Sequence, residues 1–262
     1  MPASAIKRWS ALPAATVLGL GLASPASAAL IDINISTVAS VGDAQAALDN
    51  FRAGKRHSLT EDFEGFSAWD GTAGSATSDP LNSVVGTFSS IGANGTGTAC
   101  VDGCDHLQVA DSDSPGLGGS GRMNLTDGGS NWLDSNDIEG IEWLVDAAGI
   151  GGSFTDLAFF MTDVADVGAT LDLVFDNGDT GSAEITPTQG NGTINFVTAS
   201  FSDMAIGATV TMRNTSGQTT NDGFGIDGAT VAVPVPGTLL LLGTGLLAIG
   251  AAARRGGSAD KA

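Results

Sequence analysis

From Ser58 onward the chain consists of short runs rich in Val, Ile, Thr and Phe, each closed by Gly, Asn or Asp. The runs are SLTEDFEGF, VVGTFSSIG, SGRMNLT, IEGIEWLV, FTDLAFFMTDV, ATLDLVFD, SAEITPT, GTINFVTASF, ATVTMRNT and FGIDGATVAV. β-Branched and aromatic residues suit a pleated, half-buried surface, and turn formers stop each run after a few residues. In ATLDLVFD the alternation puts Leu171, Leu173 and Phe175 on one face. Asp176-Asn177-Gly178-Asp179 has the chemistry of a tight hairpin leading into SAEITPT. About ten such strands predict an all-β domain over residues 58–232, an antiparallel β-sandwich of jelly-roll type.

One segment departs from this pattern. Across Gly42 to Ala53, Ala44, Ala47, Leu48 and Phe51 recur at helical spacing, with Asp43 as the expected N-cap and Gly54 as the stop. Residues 29–57 therefore read as an N-terminal strand and helix segment. Lys55-Arg56-His57 falls near the helix C-terminus, where the dipole favours positive charge. Ala93 to Gly121, rich in Gly, Ser and Asp, reads as one long loop.

Charge narrows the class of partner. Ala29 to Ala232 holds five basic residues (Arg52, Lys55, Arg56, Arg122, Arg213) against 28 acidic ones, a formal charge of −23. Such a surface cannot neutralise phosphates, which excludes nucleic acid as a partner. It suits solvation at high ionic strength or the binding of divalent cations.

Both ends read as targeting segments. Lys7 and Arg8 precede an apolar stretch from Leu12 to Ala23, and Ala26 and Ala28 supply the small residues of a cleavage site. Residues 1–28 are thus expected to be a signal peptide cut after Ala28, giving an exported chain. In an exported chain Cys100 and Cys104, the only cysteines, are expected to form a disulfide closing CVDGC. A zinc site with His106 is the alternative.

At the other end, Val233-Pro234-Val235-Pro236 precedes an uncharged run from Gly237 to Ala253 and then Arg254-Arg255. As a helix those 17 residues are about 25 Å long, near the lower limit for a membrane span. The Arg pair suits the cytoplasmic interface. Motif, apolar run and Arg pair together resemble the sorting tail of PEP-CTERM proteins, in particular the VPLPA-type variants, with Val235 where the commonest motif has Glu. The resemblance implies a Gram-negative source that makes exopolysaccharide and a tail spanning residues 233–262. It also implies processing by an exosortase-type membrane protease, with transient inner-membrane anchoring before release to the surface or extracellular layer.

Two sets of residues are candidates for function. Glu64, in the first strong strand, and Asp222 and Asp227, in the last, are expected to meet at one end of the sandwich and, with loop carbonyls, to hold calcium. Glu64 and Asp227 are similar in placement to the structural calcium ligands of carbohydrate-binding jelly rolls. Trp69 and Trp132 are expected to offer a sugar-binding face, whereas Trp143, in the alternating IEGIEWLV, belongs to the core. The segment GGSNWLDSND resembles stretches of exported sorting-tail proteins of marine bacteria. Asp134-x-Asn136 lacks the Gly and Glu that an EF-hand loop requires.

Catalytic readings find little support. His57 and His106 lie in loop contexts without a nucleophile motif, and GLGGSG does not open a helix after a strand. The expectation is a non-catalytic surface or matrix protein, a calcium-assisted carbohydrate-binding or adhesive module. The alternative is a polysaccharide-active glycoside hydrolase using a carboxylate pair.

Overall fold

The computed structural model describes residues 29–71, 78–92, 107–114, 121–136, 138–215 and 223–234. Strand β1 (Ile31–Val38) leads into helix α1 (Val41–Ala53) and strand β2 (Lys55–Glu61). Strands β3 (Leu81–Ser83), β4 (Gly86–Ile91), β5 (Gln108–Ala110), β6 (Trp132–Asp134) and β7 (Gly140–Val145) follow. The chain then forms β8 (Phe154–Thr162), β9 (Val167–Phe175), β10 (Thr180–Ile185), β11 (Ile194–Asn214) and β12 (Gly225–Pro234). Every strand pair among these is antiparallel.

The expected separate sheets are one curled sheet, because β11 belongs to both halves. Up to Phe201 it pairs with β1 and β8. From Ala205 onward it pairs with β9, and from Ala208 also with β7. The register shifts between Ala205 and Gly207, where one residue of β11 is left unpaired and the strand bends. GTINFVTASF and ATVTMRNT, two strands by sequence, are thus one strand of 21 residues. One half of the sheet carries β1, β11, β8 and β12, with β2 and β6 on the outer edge of β12 and β5 beyond β6. The other half runs β3-β4-β7-β11-β9-β10.

The two halves enclose one core. Leu171, Leu173 and Phe175 point into it as the alternation requires, and Phe159 and Val197 meet them from the other half. Trp143, fully buried, stacks on Phe88 at 5.4 Å and meets Phe159 edge-on at 6.0 Å. Strand β8 is buried at every position. Its second face, Ala158 and Phe160, is covered by Ala44 and Leu48 of α1. Two covered faces explain why FTDLAFFMT reads as a continuous apolar run rather than an alternating one.

Local chemistry moved several boundaries. The N-cap of α1 is Ser40, not Asp43: Ser40 Oγ accepts from the Asp43 amide at 3.2 Å and donates to Asp43 Oδ2 at 2.8 Å. Asp43 thus sits three residues inside the cap, and its carboxylate orients the capping hydroxyl. Lys55, Arg56 and His57 belong to β2 instead of trailing the helix. The run SLTEDFEGF ends as a strand at Glu61, because Phe63 takes a φ of 59° and its amide donates to Glu61 Oε1 at 2.8 Å. SGRMNLT forms no strand, and β5 lies inside the stretch read as one loop.

Among the described residues no helix is long and apolar enough to cross a membrane. Residues 1–28, Cys100, Cys104, His106, Asp222, Val235, Pro236, Arg254 and Arg255 lie outside the described residues.

Candidate functional site

Two carboxylates determine the course of the segment from Gly121 to Asn131. Asp227 sits in β12, which has a register shift between Asp227 and Thr230. Its Oδ2 accepts from the amides of Leu125 at 2.6 Å and Thr126 at 3.1 Å, and its Oδ1 from the Gly228 amide at 2.7 Å. Glu64, in the turn after β2, accepts through Oε1 from the amides of Ser130 at 2.7 Å and Asn131 at 2.6 Å. At the end of SGRMNLT the amides of Leu125 and Thr126 go to Asp227 instead of to a neighbouring strand. Gly129 permits the approach of Glu64, since a Cβ there would lie 2.5 Å from Glu64 Oε1.

Glu64 and Asp227 therefore act on one loop from two sides. Both oxygens of Asp227 are taken by N–H donors, which present the same positive polarity as a cation and occupy the lone pairs that a cation would need. The geometry does not fit Asp227 as a calcium ligand. Among the described residues no group of three or more His, Cys, Asp or Glu side chains is placed to hold a metal ion.

Burial shifts two acids of the domain upward. Asp227 is 1% exposed, and loss of hydration pushes its carboxyl well above the ordinary range. The amides of Leu125, Gly228 and Thr126 pull the other way, and the nearby Asp62 adds to the rise. Burial also raises Glu61, against the amides of Phe63 and Val84.

Beside this loop lies a groove of about 420 Å³. Gln45 of α1, Ser112, Asn124, Thr126, Ser130 and Trp132 contribute to its wall. Arg122 also lines it, with Nη1 donating to Asp134 Oδ1 at 2.8 Å and Nε 3.8 Å from Asp163 Oδ2. Asp134 and Asp163 are fully buried. Asp134 also accepts from Trp132 Nε1 at 2.9 Å and the Asn136 amide at 2.7 Å, while Asp163 Oδ1 accepts from the Gly192 amide at 2.9 Å. One buried cation thus joins β6, the turn after β8 and the groove. The sequence reading passed over Arg122; the signal it offered was a lone Arg between glycines and apolar residues in a chain nearly devoid of positive charge.

The expected aromatic platform is largely covered. Trp132 is 2% exposed and Trp69 8%, and both pack with Ala110 in a small cluster. Neither ring offers an open face for a sugar to stack on. The groove instead presents amides and hydroxyls, and none of the described residues that line it is a carboxylate.

No protein of curated function matches this chain in sequence. Among solved structures, the C-terminal family 22 carbohydrate-binding module of Clostridium thermocellum Xyn10B is similar at 16% identity and a TM-score of 0.29, over 69% of this chain and 94% of that one. The family 11 carbohydrate-binding module of Clostridium thermocellum Lic26A-Cel5E is similar at 12% identity and a TM-score of 0.28, over 60% of this chain and 92% of that one. Likeness at that level carries no ligand or activity to this chain. The C-terminal segment is another matter: residues 232–255, which begin inside β12, match the PEP-CTERM protein-sorting motif, and this chain carries that sorting tail.

Proposed function

We propose that the chain is an exported protein of the cell envelope or extracellular matrix, held in the inner membrane by its C-terminal tail until an exosortase-type protease processes it. The observation that carries this reading is the sorting motif at residues 232–255, continuous with the last strand of the folded domain. A domain joined to such a tail has its working surface outside the cell.

The groove supports a non-catalytic role in binding a neutral, hydroxyl-rich polymer such as exopolysaccharide. Asn124, Gln45, Ser130 and Thr126 provide donors and acceptors suited to sugar hydroxyls. Arg122 is already compensated by two buried carboxylates, which leaves little attraction for an anionic chain. Hydrolysis of a glycoside needs two carboxyl groups flanking the bond, and the described residues lining this groove supply none. Binding of the folded domain to an array of neutral and acidic polysaccharides, with and without calcium, tests this reading. Retention on neutral glycans that is lost in Asn124→Ala supports it. Retention unchanged by Asn124→Ala, or release of reducing ends from a bound glycan, argues against it.

A further inference from the structure

The sorting motif begins at Ala232, yet Ala232, Val233 and Pro234 are part of β12. Ala232 is fully buried and is flanked on both sides, by Ser58 of β2 and Asp156 of β8. Val233 pairs with His57 and Pro234 with Lys55, with a register shift between the two pairs. Lys55 is itself fixed: its Nζ lies 2.7 Å from Asp156 Oδ1 and 4.7 Å from the centre of the Phe51 ring. The head of the motif is thus paired with two strands, β2 and β8, and Lys55 ties β2 in turn to β8 and α1.

We propose that β2 clamps the head of the sorting motif and so sets the earliest position at which the tail can be cut, with Lys55 as the positioning residue. The inference rests on the sorting reading for its biological meaning, and on the strand pairing alone for its physical content. A peptide bond inside a ladder must leave its partner strand before a protease can hold it, so its hydrolysis is limited by local opening. The ladder ends at Pro234, which has no N–H to continue it. Only Val235 and Pro236 separate this point from the apolar run at Gly237, a reach of about 7 Å when extended. The ladder therefore protects the bonds of the motif up to Pro234. Cutting beyond Pro234 breaks one C–N bond, with water giving its oxygen to the new carboxylate and both its protons to the departing amine, which leaves as an ammonium, and β12 stays whole.

The test uses the full chain in detergent, digested briefly with a broad-specificity endoprotease and read by mass spectrometry. The unaltered chain should give C-termini at Pro234 or beyond, with none at Val231 or Ala232. Lys55→Ala should raise cutting between Val231 and Pro234 roughly fivefold or more, as expected for the loss of a largely buried ion pair at a strand end. Lys55→Arg, which keeps the pair with Asp156, should behave like the unaltered chain. Global unfolding measured under the same conditions separates local release from loss of the fold. An increase no larger than the change in global opening overturns the proposal, as does early cutting in the unaltered chain. A tail left uncut in cells would refute the sorting reading while leaving this protease result standing.

Discussion

Glu64 and Asp227 bind the same loop through backbone amides six positions apart at most: Asp227 holds Leu125 and Thr126, and Glu64 holds Ser130 and Asn131. Each carboxylate substitutes for a strand neighbour that the loop lacks. The relationship ties the last strand and the turn after β2 to one wall of the groove.

Removing the buried anchor should cost more than removing the exposed one. Asp227→Ala leaves the amides of Leu125, Thr126 and Gly228 without their acceptor, a loss of about 2–4 kcal/mol. Glu64→Ala acts on an exposed side chain whose amide partners can turn to water, and should cost about 1 kcal/mol. Urea unfolding of the two variants gives both values; equal losses would contradict the assignment of Asp227 as the main anchor.

Divalent ions should not distinguish themselves at this site. Because Asp227 accepts from amides on both oxygens, calcium and magnesium should raise the melting temperature alike at matched ionic strength, through screening of the −23 charge. Thermal unfolding in each salt checks this. A rise specific to calcium that disappears in Asp227→Asn would restore the calcium site expected for Glu64, Asp222 and Asp227.

Stability should fall as pH rises from the carboxylate range. Burial raises Glu61 and Asp227 above their ordinary values of 4.5 and 3.8, so the folded chain keeps protons that the unfolded chain releases. Their contribution is fully present below those ordinary values and is lost as pH climbs through the raised ones. Urea midpoints should therefore be higher near pH 5 than near pH 8, and Glu61→Gln should flatten part of that slope. A slope unchanged in Glu61→Gln would remove Glu61 from the explanation.

Arg122 is the most sensitive charge in the domain. Arg122→Met leaves Asp134 and Asp163 buried without their cation and should cost about 3–5 kcal/mol in urea unfolding. A loss below 1 kcal/mol would mean that the amide and indole donors alone sustain the two carboxylates.

The strands and their faces were legible because alternation and turn chemistry are local. ATLDLVFD and the Asp176–Asp179 turn appear where the sequence places them, with the Asp179 carbonyl accepting from the Phe175 amide at 2.9 Å. The helix was legible for the same reason, although its cap lies three residues earlier than Asp43, because Ser40 and Asp43 support each other. What was not legible depended on distant partners. Nothing in GTINFVTASF or ATVTMRNT shows that one strand runs through both. Nothing in SGRMNLT shows that its amides would find Asp227, about a hundred positions away. Glu64 and Asp227 stand out in the sequence as candidate calcium ligands, but acidic residues alone do not reveal whether the partner is a cation or a set of amides. Trp69 and Trp132 were read as a platform because exposure cannot be seen in a sequence.

The central claim, export followed by processing of the tail, is tested most directly by the intact mass of the envelope-associated protein from cells with and without the sorting protease. The account predicts a chain that begins at Ala29 and ends between Pro234 and Gly237 when the protease is present, and a chain that retains its tail to Ala262 when it is deleted. The same terminal residues in both strains, or a protein that still begins at Met1, would contradict it.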